Sequence, residues 1–379
     1  MLSAIRFPVA ESRGRRYPEL EHPYRDPFQR DRDRIIHARA FRRLEAKTQV
    51  FTPGLSDHFR NRLTHTIEVS QIARTVASVL GLDENLTEAL ALGHDIGHPP
   101  FAHAGEQELN RQMQRHGDHF DHNLHALRIV ETFEQRYARF PGLNLTFEVR
   151  EGIVKHSRDF EPGEIPELDE YLPGQRPPLE AQLIDLADEV AYNTADLDDA
   201  YSAGLLTPEQ IAGSAPAYAA ILEELDQQFP GATERERFHE SVRRLIDLLV
   251  TGLIEGTARK AVEAGLSSVE QLRRHPERIA AFTPASLEAN LALKGFLHRC
   301  VYSSEALAGE RRRSTAMIGE LFEFLISEPE RMPDHYLEQS AGQPVHRIVC
   351  DYIAGMTDSF FHRTYEQLLG PRRPVTPAV

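Results

Sequence analysis

Residues 93–103 read Gly93-His-Asp-Ile-Gly-His-Pro-Pro-Phe-Ala-His103, which places three histidines and an aspartate among glycines, prolines and apolar residues. The adjacent His94 and Asp95 can aim an imidazole nitrogen and a carboxylate oxygen at one point, and this donor pair suits a divalent metal. A His-Asp pair alone is a weak signal, because the dipeptide is common. Buried structural histidines are rarely so dense, however, and the glycines allow close approach of the backbone. The segment therefore predicts half of a metal site.

Helices are predicted on both sides of this segment. One spans about 85–96, because Pro99 and Pro100 cannot donate to a helix ladder and the chain must turn there. Upstream, apolar spacing predicts a helix over 31–50, broken at Phe51-Thr-Pro-Gly54, and a helix over 62–80 that Gly81 ends. Downstream, the pattern predicts a proline-marked loop over 161–178 and helices over 122–137, 179–201, 245–254, 291–297, 317–326 and 345–356.

No strand series and no internal repeat accompany these helices, so we expect an all-α fold. A chain of 379 residues is long enough for two or three domains or for one large helical core. We expect an N-terminal segment over 1–30, a core that carries the site over 31–204, and a C-terminal helical region over 205–379 packed on that core.

The charge balance limits the classes of partner. With 43 Lys and Arg against 58 Asp and Glu, the net charge is −15, and the average field repels polyanions. A nucleic-acid partner is therefore disfavoured, although it stays open, and an anionic substrate has to meet a local basic patch. Arginines do cluster near the N-terminus, and the cluster is either such a patch or a solvated helix face. Its members are Arg30, Arg32, Arg34, Arg39, Arg42 and Arg43.

The cysteine content indicates a reducing compartment, and the apolar segments predict no membrane-spanning helix. Cys300 and Cys350 are too few for a disulfide framework, so we interpret both as thiols. The first twenty residues hold charged side chains and no apolar signal core. The longest apolar stretch, 245–254, is interrupted by Asp247 and is too short to span a bilayer. We expect a cytoplasmic protein.

Several blocks of this sequence together resemble the HD superfamily of phosphohydrolases, and within it the deoxynucleoside triphosphate triphosphohydrolases similar to bacterial dGTPase. The blocks fall within about 25–200, and the C-terminal half resembles the family only in its helical character. They are Ala40-Phe-Arg-Arg-Leu44, Lys47-Thr-Gln-Val-Phe51, Asn61-Arg-Leu-Thr-His65, Gly93 to His103, and Phe120-Asp-His-Asn123. The resemblance implies an HD-domain helical core with additional C-terminal helices.

The same resemblance implies the metal ligands. The family pattern is a histidine, then His-Asp, then a distant aspartate, and it matches His65, His94, Asp95 and Asp188. The ion is expected to be manganese or magnesium first, with iron, nickel, cobalt or zinc as alternatives. Asp188 also has a plainer interpretation, in which it belongs to an acidic solvated helix face.

The spacing around Asp188 favours a site over a solvated face. Asp188, Tyr192 and Asp196 stand four residues apart and share one helix face among apolar neighbours. Glu189, Asp198 and Asp199 are left to solvent.

Candidate proton-transfer groups come from the histidines. Near neutral pH a histidine can both give and take a proton, which phosphoester cleavage needs. The resemblance makes His103 and Glu106 a catalytic dyad and places His98 and His122 beside the phosphates. The alternative is that one or two of these four merely cap or pack. We interpret His116, His119 and His125 as surface residues or as residues behind the site.

Candidate substrate contacts are Arg62, Gln49, Tyr192 and Asp196. Arg62 lies three residues before His65 on one helix face, where it can bind a phosphate or form an ion pair with an acid. In the family, the residues that match Gln49, Tyr192 and Asp196 hold the 3′-hydroxyl and crowd the 2′ position of the sugar. Tyr192 has the alternative of an ordinary core tyrosine.

Two departures from the family pattern limit the specificity expected. Many bacterial members have Glu-Gly-Asn-Ala-Gln where this chain has Asp121-His-Asn-Leu-His125, so the base preference is open. Animal relatives that hydrolyse dNTPs have a lysine directly after the last metal aspartate, where this chain has Glu189. One phosphate contact is therefore missing or comes from elsewhere.

The resemblance implies hydrolysis of deoxynucleoside triphosphates to a deoxynucleoside and tripolyphosphate, by a homo-oligomer such as a tetramer or hexamer. One alternative is an HD nucleotidase or phosphodiesterase acting on another nucleotide. Another is a nucleotide-binding or single-stranded-nucleic-acid-binding protein whose metal is structural. A structural site would have little use for His98, His103 and Glu106 around the ligands, which favours an enzyme.

Overall fold

The computed structural model describes residues 2–50, 59–339 and 342–370. Within these ranges the secondary structure is helical, and β structure is limited to isolated bridges such as Thr48–Asn61. The all-α fold predicted from the sequence is confirmed. No helix in the described ranges is long and apolar enough to cross a membrane.

Seventeen α-helices are labelled in chain order within the described residues. They are α1 Pro27–Ile36, α2 Arg39–Arg43, α3 Arg62–Leu80, α4 Glu84–Gly93, α5 Ala102–Gln114, α6 His122–Arg128, α7 Phe147–Val154, α8 Leu179–Ser202, α9 Pro208–Ala212, α10 Pro216–Gln228, α11 Glu234–Glu263, α12 Val269–Arg273, α13 Pro284–Leu297, α14 Glu305–Ser327, α15 Asp334–Gln339, α16 Val345–Ala354 and α17 Asp358–Leu369. Short 3-10 segments occupy Val9–Glu11, Leu44–Ala46, Pro166–Tyr171 and Pro329–Arg331, and π-helical turns occupy Ile129–Phe133 and His298–Tyr302.

Helix α3 has the bounds that its sequence signals predict. The Asn61 side chain accepts a hydrogen bond from the Thr64 N–H and caps the first turn. At the other end Gly81 adopts φ 78°, a left-handed conformation that glycine takes without the steric cost of a Cβ. Both signals are local, which is why the prediction is accurate.

The single helix expected over 31–50 is wrong. Helix α1 ends at Ile36, and Ala38 is extended with ψ 151° before α2 and the 3-10 segment that follows it. The break lets the buried Ala40 N–H donate to Glu134 Oε1 at 2.7 Å, a partner far along the chain. The expected end of that helix at Phe51-Thr-Pro-Gly54 lies outside the described residues.

Other helix predictions are correct in position and differ at their ends. The segment predicted over 122–137 is α6 followed by a π-helical turn that ends at Phe133, and the loop over 161–178 contains one 3-10 segment. Helix α5 was not predicted, because its N-terminal turn begins directly after the two prolines. The segments predicted over 245–254, 291–297 and 317–326 are parts of the longer helices α11, α13 and α14.

Two apolar clusters hold the helices together. The larger one packs α3 against α4 and α8 through residues such as Val76, Leu90 and Leu183, and it continues past position 204 into α11 and α13. The smaller one packs α5 against α14 and α16 through residues such as Leu109 and Ile318. Helix α5 therefore links the histidine-rich segment to the C-terminal helices. The division into domains at 30 and 204 stays a prediction.

Three arginines of the N-terminal cluster, Arg30, Arg32 and Arg34, are paired with acidic side chains and do not form a free basic patch. Arg34 is buried and binds Glu19 through Nη2 at 2.7 Å, and Arg30 contacts the same carboxylate at 3.3 Å. Arg32 pairs with Asp33 and Glu88. Arg42 donates to the carbonyl of residue 37 at 3.1 Å, and both Arg39 and Arg42 are exposed. The three paired guanidinium groups mainly stabilise the packing of the N-terminal segment.

Glu180 connects that segment to the core. Its side chain is buried on α8, and Oε1 accepts the N–H groups of Phe7 and Asp83, both at 3.0 Å. Its Oε2 has no hydrogen-bond partner in residues 2–50, 59–339 and 342–370. Burial raises the pKa of Glu180 to about 7, despite the two backbone donors.

We expect Glu180→Gln to become increasingly favourable, relative to the wild type, as pH rises. The folded-state pKa of about 7 exceeds the unfolded value near 4.5, so the folded protein holds the extra proton between these values and loses stability as pH rises through 7. Glutamine keeps the accepting oxygen and cannot ionise. The difference in Tm, variant minus wild type, should rise between pH 5 and pH 8. The exposed control Glu223→Gln should give a flat difference, and a flat difference for Glu180→Gln would contradict the assignment.

Candidate metal centre and substrate pocket

A cavity of about 750 Å³ lies between the helices that carry the histidine motifs and the helices of the C-terminal region. Its walls include every one of the predicted site residues except His94, Glu106 and Asp196. The predicted residues on the walls are Gln49, Arg62, His65, Asp95, His98, His103, His122, Asp188 and Tyr192.

Three of the four predicted metal ligands meet at one point. His65 from α3, His94 at the end of α4 and Asp188 from α8 each place a ligand atom within 4.8 Å of the others. The Nε2 of His65 lies 2.7 Å from Asp188 Oδ1, and the Nε2 of His94 lies 3.8 Å from the same oxygen. Three separate helices therefore contribute one donor each.

The donor set fits a divalent metal. His94 Nδ1 donates to the Ala91 carbonyl at 2.6 Å, which leaves the buried Nε2 lone pair toward the cluster, without a hydrogen-bond partner among the described residues. Burial lowers the pKa of His94, so that imidazole is neutral. Burial disfavours the charged form of Asp188, yet hydrogen bonds from His156 and His65 hold the pKa of that carboxyl below its usual range. The neutral imidazole of His94 and the carboxylate of Asp188 are ligands that such ions take.

Asp95, the fourth predicted ligand, borders this cluster. Its Oδ1 lies 3.6 Å from His94 Nε2 and 2.9 Å from His98 Nε2, while its Oδ2 accepts a hydrogen bond from Arg62 Nη1 at 2.7 Å. Burial opposes ionisation of Asp95, but the Arg62 guanidinium holds the pKa well below its usual range. Arg62 thus forms the ion pair considered as its alternative, and it also lines the cavity.

A second cluster joins His98, Glu106 and His122. The two imidazole rings stack with centroids 3.9 Å apart, and His122 Nδ1 lies 2.7 Å from Glu106 Oε1. Burial lowers the pKa of His122, but the bond to Glu106 outweighs burial and raises the pKa above its usual value. This close approach requires Gly97, because a Cβ there would lie 2.0 Å from the carbonyl oxygen of residue 122.

His103 is more loosely placed than the other histidines of the motif. Its side chain is 82% exposed at the cavity wall, and Nδ1 lies 3.6 Å from Glu106 Oε2, beyond hydrogen-bond distance. Glu106 instead makes its short contact with His122. His116 and His119 are exposed, as expected, whereas His125 is buried and its Nδ1 donates to the Gly97 carbonyl at 2.8 Å.

The turn between the prolines and α5 is strained. Phe101 and Ala102 adopt φ 62° and φ 53°, left-handed conformations that cost non-glycine residues on the order of 1 kcal/mol or more each. Strain of this kind persists only where surrounding contacts hold it. The turn directs His98 and His103 toward opposite ends of the second cluster.

Of the residues expected to contact the sugar, Gln49 and Tyr192 line the cavity. Gln49 is buried, and its Oε1 has no partner within the part of the chain that the structure describes. The Tyr192 ring packs edge-on against His65, with ring centroids 6.4 Å apart. Asp196 lies behind the wall, where it accepts a hydrogen bond from the Tyr302 hydroxyl. Burial raises the pKa of Asp196 to about 7.

Several cavity residues were not predicted from the sequence. His156, at the end of α7, places Nε2 3.7 Å from Asp188 Oδ2 and its ring 5.1 Å from that of His94. The C-terminal half adds Lys294, Tyr302 and Arg311. No motif near these positions signals a site, because only tertiary packing brings them to the cavity.

The three acidic residues left to solvent, Glu189, Asp198 and Asp199, have partners instead, and Asp198 Oδ2 binds Arg60 Nη2 at 2.9 Å. Glu189 lies at the cavity wall and binds Lys294 Nζ, and it accepts a hydrogen bond from Asn290 at 3.0 Å. Asp199 is buried and binds the N–H and the guanidinium of Arg60. The acidic character of α8 is therefore largely compensated inside the protein.

Comparison with known proteins agrees with this geometry. Residues 62–193 match the HD domain model, and residues 280–367 match the phosphohydrolase-associated domain model. A deoxyguanosinetriphosphate triphosphohydrolase-like protein of Azoarcus sp. (strain BH72) is 44% identical over 97% of this chain and 96% of its own length. The chain belongs to the HD-domain family of deoxyguanosinetriphosphate triphosphohydrolase-like proteins. Relatives of the same description from Geobacter metallireducens and Thiobacillus denitrificans are each 42% identical, over 96% and 95% of this chain and 93% and 95% of their own lengths.

Membership of this family makes the protein an HD-domain phosphohydrolase. HD domains are metal-dependent, and the cluster of His65, His94 and Asp188 offers the donors that such dependence requires. The resemblance drawn from the motifs is therefore confirmed at the level of the family, and nucleotides are the class of substrate that it indicates.

We expect His65→Ala, His94→Ala and Asp188→Asn each to lose bound metal. Wild-type protein in manganese at 100 times the dissociation constant should gain about 2.7 kcal/mol of stability, because the ion binds only the folded state. Elemental analysis and Tm with and without manganese measure both effects. The exposed control His119→Ala should behave as wild type. Wild-type metal content in all three cluster variants would refute the assignment.

Proposed function

We propose that this phosphohydrolase cleaves deoxynucleoside triphosphates into a deoxynucleoside and tripolyphosphate. The observation that supports the proposal most is that the metal cluster and the candidate sugar residues Gln49 and Tyr192 open onto one cavity. The names of the relatives agree with a deoxynucleotide as substrate. Such a cavity brings the α-phosphate to the metal cluster while the sugar stays between the two side chains.

His65, His94, Asp95 and Asp188 would hold the metal, for which we propose manganese or magnesium. A bound divalent ion supplies Lewis-acid chemistry, because it lowers the pKa of water and stabilises charge that develops on a phosphoryl oxygen. The protein contributes the fixed orientation of the donors. Arg62 holds Asp95 in place and presents its guanidinium to the cavity, where a phosphate oxygen can bind beside the cluster.

The pattern of the animal relatives has a phosphate-binding lysine at the position of Glu189, and cations of the C-terminal half can supply that contact instead. Lys294 binds Glu189 at the cavity wall, and Arg311 lies on the same wall. On α8, this chain has Glu189 where animal relatives have a lysine. Its carboxylate orients Lys294 of α13, which can take over the phosphate contact. With Arg62, these groups would meet the negative charge of the β- and γ-phosphates, which the chain's acidic average would otherwise repel.

Proton transfer is assigned to the second cluster. Glu106 favours the protonated form of His122, which can then stabilise or protonate an oxygen of the phosphate chain. His98 stacks on His122 and is oriented by Asp95. His103 is exposed at the cavity and lies near Glu106, where it can deliver a proton to the departing 5′ oxygen once substrate fills the space.

The sugar contacts follow from an unpaired acceptor and an aromatic wall. The buried Oε1 of Gln49 has no partner among the described residues, so a 3′-hydroxyl can satisfy it, and Tyr192 on the same wall would occupy the space beside the 2′ carbon. Asp196 accepts a hydrogen bond from the Tyr302 hydroxyl, so it would act on the sugar through Tyr302. The base contacts are left open, and a homo-oligomer, a tetramer or hexamer, in the cytoplasm stays part of the proposal.

We expect the wild type to hydrolyse dATP and dGTP and to act poorly on the corresponding ribo and 2′,3′-dideoxy nucleotides. Because the pocket pairs with the 3′-hydroxyl, a substrate that lacks it should have a kcat/KM lower by roughly a hundredfold or more. Gln49→Ala should erase the dideoxy discrimination, while Gln107→Ala, a glutamine on the same cavity wall, should keep it.

Chromatography of the products tests the reaction type in the same assays. Tripolyphosphate and deoxynucleoside in equal amounts are expected. Stepwise release of orthophosphate, or equal turnover of ATP and dATP by the wild type, would instead indicate a general HD nucleotidase or phosphodiesterase.

The pair of Glu106 and His122 predicts a pH effect on turnover. Since the carboxylate raises the pKa of His122, Glu106→Gln should lower that pKa and move the alkaline limb of the kcat/KM profile to lower pH. Metal content and substrate affinity should stay near wild type. Glu108→Gln, on the same helix but bound to Arg111 and Gln112, should leave the limb in place. An unshifted limb in Glu106→Gln would remove His122 as the titrating group.

A further inference from the structure

The carboxylate of Asp358, in the first turn of α17, binds two backbone segments at the cavity. Its Oδ2 accepts the Thr48 N–H at 2.9 Å, and its Oδ1 accepts the Phe101 N–H at 3.1 Å. The first segment carries Gln49, and the second carries His98 and His103. Asp358 is not itself among the residues of the cavity wall. One side chain thus uses both oxygens to join the proposed sugar contact to the proton-transfer loop.

Lys47 also connects the segment before Gln49 to the His98 loop and to the C-terminal helices. Its side chain is buried, and Nζ donates to the carbonyl of His98 and to that of Ala354 at 3.2 Å. Ala354 is the last residue of α16, so the contacts of Asp358 and Lys47 both lead to the corner between α16 and α17. The two segments are held relative to each other by the C-terminal helices.

The contacts from α17 stabilise the strained turn at Phe101 and Ala102. Phe101 and Ala102 keep their left-handed backbone only while neighbouring groups hold it. The restraints on Phe101 come from α17, because its N–H binds Asp358 and its ring packs against Phe361 at 5.0 Å and His362 at 5.1 Å. Without them, the turn is free to relax toward ordinary φ values and to move His98 and His103.

We propose that Asp358 is a positioning residue, which sets the distance between Gln49 and the His98–His103 loop and so aligns the sugar with the proton-transfer groups. Its effect on turnover rests on the proposed function. Its effect on the two segments does not, because the hydrogen bonds exist in the protein alone. The assignment gives the C-terminal region a role in catalysis beyond packing.

The test compares two variants at the start of the same helix. Asp358→Asn keeps the size of the side chain but turns one accepting oxygen into an NH₂ group, which cannot accept from a backbone N–H. Thr357→Ala removes the cap of α17, a bond from the Phe360 N–H at 3.2 Å, and leaves both Asp358 contacts in place. The control therefore weakens the helix without cutting the ties.

Asp358→Asn should lower kcat by about tenfold or more, since small misplacements of reacting groups are costly. It should also weaken the discrimination between deoxy and dideoxy substrates, with metal content unchanged. Thr357→Ala should keep kcat and the discrimination, even where its loss of Tm equals that of Asp358→Asn. Equal effects of the two variants, or wild-type kinetics in Asp358→Asn, would overturn the proposal.

Hydrogen exchange on the substrate-free protein gives a second measurement. The amides of Thr48 and Phe101 should exchange faster in Asp358→Asn than in wild type, and at the wild-type rate in Thr357→Ala. Unchanged exchange in Asp358→Asn would overturn the positioning role. A wild type that turns over no dNTP would overturn only the proposed function, and the exchange rates would still decide the role of Asp358.

Discussion

The buried carboxylate of Asp95 connects the parts of this site. One oxygen binds Arg62 on α3, and the other binds His98 on the loop, while the neighbouring His94 points into the metal cluster. An isolated buried charge costs several kcal/mol, so the carboxylate is tolerated only with its partners in place. Packing α3 against α4 therefore also fixes the metal cluster beside the proton-transfer cluster.

The sequence predicts those elements whose signals are local. Asn61 and Gly81 set the bounds of α3 through contacts within a turn of each end. The break at Ala38 is different, because it depends on Glu134, which accepts the Ala40 N–H from 94 positions away. A pattern read along a single helix contains no information about such a partner.

The same division applies to the site. The family resemblance predicts His65, His94 and Asp188 as metal ligands, and the fold brings their donor atoms together. Lys294 reaches the cavity through its contact with Glu189, 105 residues earlier, and neither residue belongs to a motif of its own. Charge compensation between distant helices is a property of the fold, which explains why Glu189 was assigned to solvent.

The ties from Lys47 and Thr48 to the corner between α16 and α17 span 307 and 310 residues. Closure of so long a loop has to wait until α16 and α17 have left the ribosome, whereas α3, α4 and α8 can associate earlier. During synthesis the metal donors can thus assemble before the loop that carries His98 is fixed. A nascent chain would be able to bind its ion while still being a poor catalyst, and full activity would arise only after α17 has been synthesised and has docked.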